Sequence, residues 1–89
     1  MSIQNTSLKA YWEGRLGGSF SRQQLTVLDA LNVWGVSSRA DLVKHTLLPI
    51  NVVCGRVNEL LKRGVVEVSG KEIDADTGKE VQLLKLKEE

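Results

Sequence analysis

Up to Gly64 the apolar residues of this 89-residue chain recur at helical spacing, and beyond it they alternate with polar ones. A helix buries a stripe of side chains about 3.6 residues apart, whereas a half-buried strand hides every second one. The change of period predicts an α+β chain, mainly α, with its helices first and a two-stranded ribbon in its last third. In "INVVCGRVNELLKRG" the residues Val53, Val57, Leu60 and Leu61 stand at i, i+4, i+7 and i+8 and form one buried stripe. Pro49 belongs in the first turn of this helix, where its missing N–H is not needed. Gly64, after "LLKR", is a left-handed stop, and the cations before it complement the helix dipole.

Two more helices precede this one. In "SFSRQQLTVLDALNVWG" Ser21 and Gln24 have the spacing of a capping box, in which hydroxyl and amide each satisfy a free backbone N–H. At about 100° per residue, Val27, Leu28, Leu31 and Trp34 share one arc, with Leu25 at its edge, so Trp34 is expected in the core. Gly35 ends that helix. After an extended piece at Val36, Ser38 and Asp41 make a second, weaker capping pair for "SRADLVKHT", where Leu42 and Val43 supply the apolar edge. The segments "VVEVSGKEI" and "KEVQLLKLK" flank "DADTG", whose Asp and Gly residues suit a hairpin tip.

Residues 1–18 read as an N-terminal leader, with "SLKAYWEGRL" as a short helix hinged by Gly17 and Gly18 to a domain over residues 19–89. Leu8, Tyr11, Trp12 and Leu16 give the leader an apolar side. Trp12 needs cover, from its own domain or from a second copy, and association into a dimer through these four residues is the expectation.

An apolar share of 42% in a chain this short supports one modest core. No run is long and apolar enough to cross a bilayer, and "MSIQNTSLKAYWEG" has neither the basic start nor the apolar run of a secretory signal. The single cysteine, Cys54, has no partner for an internal disulfide, which with the missing signal points to the cytoplasm. The net charge of +1 conceals a split: residues 1–66 carry eight basic and four acidic side chains (+4), residues 67–89 four and seven (−3). Such a balance is a weak footprint for binding a polyanion, and what there is of it lies in the first two thirds.

Three helices and a hairpin, with the tight connection "TLLP" between the second and third helix, make the order of a winged helix-turn-helix domain. The residues "GRVNELLKRGVV" (55–66) and "GKEIDADTGK" (70–79) resemble the third helix and the wing of MarR-type winged-helix modules of bacterial and phage regulators, and the likeness covers residues 21–86. One position departs from it. Leu47 stands where the family has glycine, so the connection is either built differently or holds a leucine in the left-handed region.

The resemblance implies binding of double-stranded DNA, with the third core helix in the major groove. Once the buried stripe is removed, that helix offers Asn51, Val52, Gly55, Arg56 and Asn58. Gly55 costs a helix interior about 1 kcal/mol relative to Ala. It either lets the backbone approach a partner closely or fills a crowded helix crossing within the domain. Arg56 suits a phosphate better than a guanine edge. Arg39, at a helix start, is either a further backbone contact or a simple surface residue, and Lys71 and Lys79 on the wing could grip phosphates, although Glu72, Asp74, Asp76 and Glu80 surround the two lysines.

Neither Cys54 nor His45 has neighbours that suggest redox or metal chemistry, and no catalytic constellation or cofactor-binding loop stands out, so no enzyme is expected. Two functions remain. One is a small regulator of transcription or replication that binds duplex DNA; the other is a phage-encoded winged helix that binds a protein as inhibitor or adaptor. The fold-level likeness puts DNA first.

Overall fold

The computed structural model describes residues 8–88, so residues 1–7 of the leader lie outside it. Four helices, α1 (Lys9–Gly17), α2 (Arg22–Trp34), α3 (Arg39–Thr46) and α4 (Ile50–Arg63), precede a two-stranded antiparallel sheet of β1 (Val66–Ile73) and β2 (Glu80–Leu86). No helix among the described residues is long and apolar enough to cross a membrane.

Local chemistry sets the helix ends. Gln24 N–H donates to Ser21 Oγ at 3.2 Å and Ser21 N–H to Gln24 Oε1 at 2.9 Å. Ser38 and Asp41 repeat the exchange at 3.0 and 3.1 Å. Pro49 is the N-cap of α4 rather than a residue of its first turn: its ψ of 150° is extended, and its carbonyl accepts from the N–H groups of Val52 and Val53. Gly64, at φ 75°, reverses the chain, and Val65 N–H reaches back to Leu60 O at 3.1 Å, which satisfies a carbonyl the helix leaves open.

Val27 and Leu28 of α2, Leu42 of α3, Val53, Val57 and Leu60 of α4 and Leu84 of β2 are fully buried against one another. Each such side chain stabilises the fold by about 1.5–3 kcal/mol relative to exposure. Val66 pairs with Leu86 and Val68 with Leu84, but Gly70 pairs with Leu83, so Ser69 is a bulge that twists the outer hairpin away from its root. On the other edge of β2, Ser37 exchanges two backbone hydrogen bonds with Leu84, at 3.0 and 2.8 Å. The extended piece expected at Val36 thus pairs one residue later, and it pins the root of the wing to the α2–α3 connection.

Trp34 is not in the core; it is 61% exposed. It is the last residue of α2, and the chain turns away immediately after it at Gly35 (φ 80°, ψ −152°), so the end of the helical arc overhangs what the arc covers. The indole stacks instead on the His45 ring of α3, 4.3 Å between centroids and 5° from parallel.

Three of the four leader residues expected at a dimer contact pack within the chain itself. Leu8 and Tyr11 belong to the same core as α2–α4, and Trp12 packs on it half-buried, which leaves Leu16, 79% exposed. Tyr11 Oη donates to Asp29 Oδ1 at 2.7 Å, and Asp29 Oδ2 pairs with Arg15 at 3.1 Å. Burial, and then the Asp29 carboxylate, push the Tyr11 phenol well above its ordinary range and keep it a donor. Gly14 lies directly on the Phe20 ring. Arg63 covers that ring at 4.3 Å from its centroid and donates to Ser19 O and Oγ at 3.1 and 3.2 Å. Residues 8–18 are therefore part of the domain's packing rather than a hinged appendage.

Leu47 takes the second of its two alternatives. It caps α3 at φ 62° and ψ 16°, with its N–H bonded to Val43 O at 2.8 Å and its side chain 87% exposed. An L-residue pays roughly 1–2 kcal/mol in that region, offset in part by the unfolded-state freedom a glycine would add. Leu47→Gly should therefore raise stability by about 0.5–1 kcal/mol. Thermal unfolding monitored by circular dichroism measures it, and a fall in Tm would mean that the exposed leucine makes a stabilising contact.

Candidate nucleic-acid interface

On α4 the positions 51, 55 and 58 share one face, at i, i+4 and i+7. Asn51 and Asn58 are exposed there, and Gly55 between them is half-buried, with no group of the described residues beyond its own stretch of helix within 4 Å of an added Cβ. The helix-crossing explanation of Gly55 is thereby removed: the missing side chain leaves open space. Val52 is half-buried beside this face.

Arg56 projects from the next row and is engaged. Its Nη2 lies 3.2 Å from Glu59 Oε2, while Glu59 Oε1 accepts from Gln24 Nε2 of α2 at 2.9 Å. Its Nε is buried without a partner among the described residues. The guanidinium is thus drawn toward α2 and half neutralised by a carboxylate, which makes it a poorer phosphate contact than an exposed arginine on α4 would be.

Arg39 is the better placed cation. From the first turn of α3 its Nη1 donates to Gln82 Oε1 of β2 at 3.0 Å, and its Nη2 to Asn58 Oδ1 of α4 at 3.3 Å. Both acceptors are neutral amides. They fix the guanidinium between helix and wing without cancelling its charge, whereas a carboxylate would do both. Gln82 is a site residue that the alternation of β2 could have flagged: it continues the row of Leu84 and Leu86 one step past the core, where the strand becomes exposed beside α3.

A groove of about 450 Å³ separates the start of α3 from the wing, lined on one side by Arg39, Asp41 and Lys44 and on the other by the wing acids Glu72, Asp74, Asp76 and Glu80. Two of those four acids have structural work. Asp74 organises the hairpin tip by accepting from Asp76 N–H at 3.1 Å and Thr77 Oγ1 at 3.0 Å, and Glu80 Oε1 lies 3.6 Å from Lys71 Nζ. Lys71 is therefore compensated. Lys79 stands exposed at the tip, just after Gly78, whose φ of 71° closes the turn.

No family model matches the sequence, and no curated protein does. Solved structures match it well. Bordetella bronchiseptica BpsR, whose DNA binding is regulated by 6-hydroxynicotinic acid, superposes with a TM-score of 0.63 at 25% identity, over 89% of this chain and 63% of its own. The MarR family regulator NMB1585 from Neisseria meningitidis gives 0.61 at 21% identity, over 89% and 54%. Reduced MarR from E. coli gives 0.62 at 18%, over 92% and 58%. The chain thus spans about three fifths of the length of these regulators. Element order, hairpin and superposition agree: the fold is the winged helix of MarR-type transcriptional regulators.

Proposed function

We propose that this protein is a regulator that binds double-stranded DNA, with α4 in the major groove and the wing alongside on the phosphate backbone. The observation that carries this reading is the Arg39 guanidinium, charged and oriented by Asn58 and Gln82 at the junction of the two elements that would straddle a groove edge. Asn51 and the open backbone at Gly55 supply the face that enters the groove, and Lys44 and Lys79 supply further positive charge. The likeness to regulators supports the same reading.

A gel shift of the full chain at low salt, against random-sequence and genomic duplex, tests it. Retarded complexes are expected with both, tighter with some genomic fragments. If neither is retarded, the regulator reading fails, and the second reading takes its place: an inhibitor or adaptor, phage-encoded by the resemblance, that binds protein. The wing favours that second reading, because Glu72 and Asp76 have no cation within pairing distance among the described residues and would repel phosphates.

Gly55→Ala separates site from scaffold. Among the described residues the added methyl meets nothing beyond its own helix, so the variant should be more stable by up to about 1 kcal/mol. Duplex affinity should nevertheless fall, since the methyl stands between α4 and the groove floor. Unchanged affinity in the stabilised variant would take Gly55 out of the contact surface.

A further inference from the structure

Leu47 and Ile50 flank Pro49 at the entrance to α4, and folding gains little from either. Leu47 is 87% exposed in a backbone conformation that leucine disfavours, and Ile50 is 52% exposed. Leu48 between them turns inward onto the core. The next exposed side chain along the helix is Asn51. The tip of the proposed reading helix therefore presents two aliphatic groups and a carboxamide.

What the tip lacks is equally specific. Arg56 is the only cation in the first two turns of α4, and it is tied to Glu59. No guanidinium is free there to fork onto guanine O6 and N7, and no carboxylate is free to accept from cytosine N4. Aliphatic surface fits the 5-methyl group of thymine, and a carboxamide fits adenine N6 and N7. Lys44, in the α3 turn immediately before the tip, and the +4 balance of residues 1–66 favour a polyanion over an apolar protein groove as the occupant.

We infer that the tip from Leu47 to Asn51 reads A·T base pairs in the major groove, Leu47 and Ile50 covering thymine 5-methyl groups and Asn51 bonding adenine. This rests on the DNA-binding reading above and adds to it the class of sequence recognised. Deoxyuridine in place of thymidine removes only the methyl group and keeps every hydrogen-bonding position, so it isolates the aliphatic contact.

The test is fluorescence anisotropy of the full chain at low salt with three short duplexes: a mixed A·T-rich sequence without A-tracts, the same sequence with deoxyuridine for thymidine, and a G·C-rich sequence. Burial of one methyl is worth roughly fourfold in affinity, so the thymidine duplex should bind about 4- to 15-fold more tightly than the deoxyuridine duplex. The G·C-rich duplex should bind more weakly than the thymidine duplex. Leu47→Ala and Ile50→Ala should shrink the ratio of thymidine to deoxyuridine affinity, and Asn51→Ala should weaken both A·T-type duplexes alike. All three side chains are exposed, and circular dichroism verifies that the variants fold. Equal affinity for thymidine and deoxyuridine duplexes, or tighter G·C-rich binding, overturns this inference and leaves DNA binding intact. Absence of binding to all three overturns both.

Discussion

Gly14→Ala is expected to destabilise the domain by about 1–3 kcal/mol, the range typical of overpacking a filled core. Helix propensity alone argues the reverse, since Ala is favoured over Gly by roughly 1 kcal/mol in a helix interior. Sterics win here. A methyl on Gly14 would overlap three carbons of the Phe20 ring. Moving that ring also disturbs Arg63, which lies over it and donates to Ser19. The ring must shift or α1 must lift, and either loosens the packing of α1 on the core that Leu8, Tyr11 and Phe20 share. Chemical denaturation gives the magnitude, and Phe20→Leu in the Gly14→Ala background should recover part of the loss by making room. A stabilised Gly14→Ala variant would falsify the α1 packing. The contrast with Gly55→Ala is informative: two helical glycines, opposite expected signs, set by what lies beside each.

Raising salt from about 50 to about 200 mM should weaken duplex binding roughly 40-fold, if three phosphates are neutralised per chain. Three is the number of cations on the proposed face without a carboxylate partner among the described residues, namely Arg39, Lys44 and Lys79. The slope of log affinity against log salt should then be about −2.7. Alanine at each of the three should make it shallower by about one. Lys71→Ala should matter less, because Glu80 already compensates that lysine at 3.6 Å. A slope near −5 would mean that Arg56 and Lys71 leave their carboxylates for phosphates; a slope near zero would remove backbone contacts from the mechanism.

Whatever depends on neighbours along the chain is legible in the amino-acid sequence itself. Both capping boxes, the stops at Gly35 and Gly64, the stripe of α4 and the alternation of the wing are written within a few residues of where they act, and they suffice for the winged-helix order. The left-handed position at Leu47 is legible only as a departure from a resembled pattern. Tertiary structure decides the rest. Trp34 lies on the right arc but past the end of the surface it would cover, and helical period carries no information about where that surface stops. Leu8 and Tyr11 join the core rather than an association face because Gly14 lets α1 close onto Phe20, a contact between segments whose meeting no local pattern encodes. Arg56 and Arg39 exchange importance for the same reason. Charge and exposure on a helical wheel make Arg56 prominent, yet Glu59 and Gln24 draw it aside, while Asn58 and Gln82, 24 residues apart in sequence, converge on Arg39 only once the wing folds back beside α4. Local spacing determines which elements form; which side chains meet, and with what net charge, is settled by the packing of those elements.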